Sequence, residues 1–123
     1  MGTRGHDVRA ALAIALLLLG CATQAEAAKT RPVYGALAYH RASGSVGYAV
    51  DQPNDRAARV ESLRQCAHPN CEVVLRFHND CAALADGPKR HFAHKGSTRQ
   101  EAETKALHAC GAECRIVGWA CTR

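Results

Sequence analysis

Seven cysteines, a scatter of histidines and a lone tryptophan carry most of the chemistry that this 123-residue chain can offer. Cys66, Cys71, Cys81, Cys110, Cys114 and Cys121 fall in its second half, and Cys21 stands apart at the end of a leucine run. An even set of six in an exported chain reads as a disulfide framework. The competing use of paired thiols is zinc, but Cys-x4-Cys and Cys-x3-Cys differ from the usual two-residue knuckle, so no metal is expected. A catalytic cysteine needs a free thiolate beside a base, and an even count leaves none over.

The other reactive side chains offer less. His91 and His94 have the spacing of helical metal ligands, yet their segment reads as a strand, where positions three apart face opposite sides. His40 sits at the end of a strand-like run. His78, Asn79 and Asp80 could hold a small polar site, and the same trio is ordinary turn chemistry. Ser43 and Ser45 flank Gly44 in what reads as a hairpin tip, with no nucleophile elbow. Glu101 and Glu103 fit a helix start favoured by the dipole better than an acid/base pair. Most of the six aromatics are expected in the core, and for Trp119 core packing is the favoured reading; an exposed Trp119 would be the natural anchor for a protein partner, and His78 and Asp80 are kept beside it as a candidate binding surface.

What must position these residues begins after an export signal. Arg4, Asp7 and Arg9 form a short charged head, Ala10 to Leu19 an apolar run, and small residues the exit. The run is half the roughly 20 residues that a membrane-spanning helix needs. Two cleavage readings stay open. Leu18-Leu19-Gly20-Cys21 is a lipobox that would make Cys21 a lipid-attachment site after cleavage at 20, and Ala25-Glu26-Ala27 would release a soluble secreted form after 27. Residues 21–32 are then a linker, and 33–123 a single domain of modest core.

That domain is duplicated. "GALAY" (35–39) matches "AALAD" (82–86), "SLRQC" (62–66) lies over "ALHAC" (106–110), and "CEVVL" (71–75) over "CRIVG" (114–118). The central offset is 44 residues, 47 in the first strand and 43 in the last. Each copy reads strand, strand, helix, strand, so the fold class is α+β with largely antiparallel strands and two helices. In copy one Asn54 or Asp55 caps the helix and Ala57, Val60 and Leu63 recur along it; Val73, Leu75 and Phe77 share a strand face. In copy two Thr98 and Glu101 form a capping box, and Ala102, Ala106, Leu107 and Cys110 make a small-residue stripe. Along 115–121, Ile116, Gly118 and Ala120 alternate with Val117, Trp119 and Cys121. "HNDC" (78–81) reads as a tight turn, which predicts a hairpin between the third strand of copy one and the first of copy two.

The opening "YGALAY", the "GYA" after a Ser-Gly turn, "CEVVLRFHNDCAALA", "STRQEAETKALHAC" and the terminal "GWAC" resemble the bacterial exported family known as domain of unknown function 4189, over residues 34 to 122. Tyr34 stands where the family often has Trp, Asp80 where Gly is usual, and His91 and His94 where aromatic or glycine residues are frequent. The resemblance implies a fold and a compartment and no reaction. Six cysteines allow fifteen connectivities. The duplicated layout favours Cys66 with Cys71 and Cys110 with Cys114 across short connections, leaving Cys81 for Cys121.

The formal charge of +5 falls to +4 without Arg4, Asp7 and Arg9, and its cations are interspersed with acids, so nucleic-acid binding is not expected. No cofactor is expected, and the membrane enters only through a lipid on Cys21. These readings converge on a non-catalytic exported binding module at the bacterial envelope, in the periplasm or held at the outer membrane, of the inhibitor or immunity type, with a protein partner. The alternatives are a secreted factor acting on a host or competitor, and a hydrolase with an unrecognised site.

Overall fold

The computed structural model describes residues 33–123; the expected export signal, its two candidate cleavage sites, the linker 21–32 and Cys21 lie outside the described residues. The order is β1 (Tyr34–His40), β2 (Ser45–Gln52), α1 (Asp55–Cys66), β3 (Glu72–His78), β4 (Cys81–Asp86), β5 (His91–Gly96), α2 (Arg99–Cys110) and β6 (Arg115–Cys121). Two strand-strand-helix-strand units therefore follow one another. Each forms its own antiparallel three-stranded sheet, in the orders β2-β1-β3 and β5-β4-β6.

The central strands explain the layering. In β4, Ala83 and Ala85 pack with Ala102, Ala106 and Cys110 of α2, while Ala82 and Leu84 turn the other way, onto Leu37, Tyr39 and Phe77 of the first sheet. The sheets thus stack face to face around Leu37 and Leu84, with a helix on each outer face. Small side chains on the helix side let the helices lie close. At Gly47 a Cβ would overlap the Ser62 carbonyl and the Cys66 amide of α1.

This close approach corrects the reading of α1. Its buried face is Ala58, Ser62 and Cys66, whereas Val60 is 59% exposed. Apolar periodicity pointed to the larger residues, but the space under the helix admits only small ones. The ends follow the capping rules: Asn54 Oδ1 accepts from the Ala57 amide at 2.8 Å, and Ala67 closes the helix at φ 55°. In α2, Thr98 Oγ1 accepts from the Glu101 amide at 3.1 Å. The Glu101 carboxylate does not reach back to the cap. It binds Lys105 and the Ser97 hydroxyl instead, which hold its pKa down at about 2.

Two strand-level expectations also change. A bulge at Val74 separates the pairs Leu37–Leu75 and Ala38–Val73, so Val73 turns from the face of Leu75 and Phe77 to the face of Ala38. An equivalent bulge at Val117 separates Leu84–Gly118 from Ala85–Ile116. Ile116 consequently joins Trp119 and Cys121 on the helix side, and Val117, Gly118 and Ala120 face the other sheet. Strict alternation fails because one residue is inserted without changing the pairing on either side.

The predicted hairpin through "HNDC" is absent: β3 and β4 belong to different sheets. Asn79, at φ 51°, swings the chain from one sheet to the other. Its amide donates to the Val33 carbonyl and its Oδ1 accepts from the Val33 amide. Asp80 and Thr122 repeat this in copy two: the Thr122 amide donates to the Asp80 carbonyl, and Thr122 Oγ1 accepts from the Asp80 amide at 2.9 Å. The turn chemistry is real, but it joins layers and not neighbouring strands.

Disulfides join Cys66 to Cys71, Cys110 to Cys114 and Cys81 to Cys121. The first and second tie each helix end to the following strand. The third crosses β4 and β6 with a Cα–Cα distance of 4.0 Å. Its counterpart in copy one is the aromatic pair Tyr34–His78, with ring centroids 5.6 Å apart. Another pair of equivalent positions, Tyr39 and Asp86, meets between the sheets: the Tyr39 hydroxyl donates to Asp86 Oδ2 at 2.9 Å. Burial, reinforced by that hydrogen bond and the carboxylate charge, pushes the Tyr39 phenol up to about 12.

Loop-closure entropy ranks the bridges. Cys81–Cys121 spans 40 residues against 5 and 4 for the others, so removing it with alanines should cost about 4 kcal/mol, and removing either short bridge about 2 kcal/mol. Urea unfolding of the three double variants tests the order. Because the fold holds Tyr39 neutral, its stabilisation is complete below the unfolded pKa of roughly 10 and is lost as pH rises toward 12. Tyr39→Phe should flatten that alkaline decline in a melting-temperature series.

Candidate functional site

At one side of the sandwich the edge strands β2 and β6 lie together, and α2 begins beside them. Between them runs an open groove of about 830 Å³, whose walls include Tyr48, Asp51, Arg99, Glu103, Trp119 and Arg123. Tyr48 is 49% and Trp119 41% exposed, so two aromatic rings meet solvent here. The Arg99 guanidinium sits 3.8 Å from the centre of the Trp119 ring, a cation–π contact. Glu103, one helical turn on, holds Arg99 Nε at 2.7 Å. Asp51, at φ 56°, accepts the Arg123 amide at 2.9 Å and so ties the end of the second sheet to the edge of the first.

The duplication shows what is particular to this groove. Shifted back by 44 and 43 residues, Arg99 and Trp119 become Asp55 and Arg76. Those two form an ordinary ion pair at 3.0 Å, half-exposed, beside Tyr34 and His78 on the other side of the sandwich. One location thus carries a salt bridge in copy one and a stacked arginine–tryptophan pair in copy two. Aligning the copies residue by residue would have singled out Arg99. Tyr48 and Asp51 left no such signal, because they reach the groove from the other copy.

The remaining candidates are dispersed. His78 is exposed and packs on Tyr34, at the far edge from Trp119. Asp80 acts through its backbone in the clasp with Thr122, so the structure does not assemble His78, Asp80 and Trp119 into one surface. His91 packs edge-on against Tyr39, while His94 stacks with Phe92 on the opposite face of β5. His40 stacks on His68 at 3.8 Å, its Nδ1 2.7 Å from the Ser43 hydroxyl. Ser43 and Ser45 lie in and beside the β1–β2 turn. Glu101 and Glu103 are each engaged by a cation on α2. All six cysteines of the domain are bridged. Among the described residues no helix is long and apolar enough to cross a membrane.

The groove can offer an indole and a phenol ring as contact area, with charges of both signs around them. Trp119 is the only tryptophan, so its fluorescence reports the groove alone. Arg99→Ala should bare the ring, shifting emission to longer wavelength and increasing acrylamide quenching. Arg76→Ala, the equivalent change in copy one, should leave both unchanged.

Comparison with known proteins bears on this fold. No curated protein matches the chain. The NMR structure of Rv1813c from Mycobacterium tuberculosis is similar, with 32% sequence identity and a TM-score of 0.59, over 72% of this chain and 74% of that one. It shares the α+β architecture. The profile of the domain of unknown function DUF4189 matches residues 34–121, the span from the first strand to the last. The chain belongs to the DUF4189 family.

Proposed function

We propose that this domain is an exported, non-catalytic binding module that engages a protein partner through the Trp119 groove, in the manner of an envelope inhibitor or immunity-type protein. The observation that carries this reading is the divergence between copies. Where copy one closes its surface with Asp55 and Arg76, copy two presents Trp119 under Arg99 beside the exposed Tyr48. Tryptophan, tyrosine and arginine are the residue types that dominate protein contacts, because each offers a large area with few rotamers to freeze or a directed charge. The three disulfides suit an oxidising compartment outside the cytoplasm. Whether export ends in a lipid anchor on Cys21 or in a free protein decides between action at the cell's own envelope and action on a host or competitor.

The test is site-specific crosslinking in intact cells of the source bacterium. A photoreactive phenylalanine analogue at Tyr48 should give one discrete protein adduct, and Trp119→Ala in the same chain should reduce it at least tenfold. The same probe at His78 should give none. Adducts of equal yield from both positions, or an adduct indifferent to Trp119, would overturn the reading.

A further inference from the structure

We infer that the β5 arm is a second contact surface, one that rests on anionic phospholipid. From Gly87 to Gln100 the chain has no acidic residue, while it carries Lys89, Arg90, Lys95 and Arg99. Arg99 is spent on Trp119 and Glu103. Among the described residues the side chains of Lys89, Arg90 and Lys95 form no hydrogen bond or ion pair, although five other cations of the domain are paired. All three are exposed. Glu113 shares a shallow depression with Lys89 and Arg90 and offsets part of the charge at that end.

Beside the turn that carries Lys89 and Arg90 stands Phe92, 41% exposed on an edge strand; alternation along β5 sets Lys95 on the other face, so the ring and Lys95 flank the free edge of that strand. Its position is again a divergence between the copies. In the shared register, Phe92 opposite Ala85 corresponds to Gly47 opposite Ala38, where a helix covers the glycine. Copy two therefore places an aromatic ring in water where copy one has a buried backbone.

The spacing selects the ligand. Lys89 and Arg90 sit in the β4–β5 turn, and the strand from His91 to Lys95 alone runs roughly 13 Å, so the turn cations and Lys95 are too far apart to share one small anion. A bilayer lying along the free edge of β5 offers headgroup phosphates across that distance and a shallow apolar layer for the ring, which is how amphipathic surface anchors bind. An acidic protein could satisfy the charges and cover the ring as well, and the polyglutamate arm of the test below separates it from the bilayer. This surface belongs to the opposite edge of the second sheet from β6 and does not depend on the groove reading.

Sedimentation of the full chain with phospholipid vesicles tests the inference, using Cys21→Ser throughout so that no acyl chain contributes and residues 1–32 are common to all variants. Binding should require phosphatidylglycerol in the phosphatidylcholine vesicles and weaken with salt. Lys89→Gln and Lys95→Gln should each lower affinity about fivefold, as expected for one cation near an anionic surface. Phe92→Ser should lower it further, and Arg56→Gln, an exposed cation on α1, should not change it. Equal loss with Arg56→Gln, equal binding to pure phosphatidylcholine, or binding to soluble polyglutamate as tight as to vesicles and indifferent to Phe92 would each overturn the inference. Unchanged near-ultraviolet circular dichroism checks that every variant is folded.

Discussion

Ala36, Leu37 and Ala38, with Ala83, Leu84 and Ala85, are wholly withdrawn from water, and they are withdrawn on both faces of their strands. This double burial is the constraint from which the other layers follow. Alanine on one face brings a helix close enough for Gly47 to touch its backbone; leucine on the other fills the space between sheets. With only two leucines at the centre, the core is thin, and its deficit is met by cross-links and by polar clasps such as Tyr39–Asp86. A larger residue at Ala38 or Ala85 would lift a helix, and a smaller one at Leu37 or Leu84 would leave a void between sheets.

Much of this was legible in the sequence. The offsets of 47, 44 and 43 residues correctly located two copies of one unit, because strand and helix signals recur in the same order. Where the reading failed, it did so for definable reasons. Periodicity selected Val60 for the buried face of α1, since hydrophobicity cannot report how near a sheet lies. Val73, Ile116 and Val117 were assigned by strict alternation, and a bulge is invisible to a period-two rule. "HNDC" was recognised as a turn, but a left-handed Asn79 can lead to a neighbouring strand or a neighbouring layer with the same residues.

The candidate site was less legible because it is assembled from both copies. Trp119 stood out by residue type alone. Its partner Arg99 reads as a routine first-turn helix residue until its equivalence to Asp55 is seen, and Tyr48 reads as one more aromatic in a strand. His78 and Asp80 drew notice through chemical versatility, yet one completes an aromatic pair and the other a backbone clasp. Divergence between equivalent positions proved more informative than the reactivity of single side chains: the two copies share their core and differ in what they show to solvent.

The passage from Asn79 to Asp80 is a single peptide bond between two closed units, each with its own ends pinned by the Val33 and Thr122 clasps. No slack remains at that seam to let one sheet slide or rock on the other. A groove that takes one wall from each sheet is consequently as stiff as the sandwich itself. A partner of the kind proposed above would meet both walls already in place, and selectivity would then reside in how well its surface fits them.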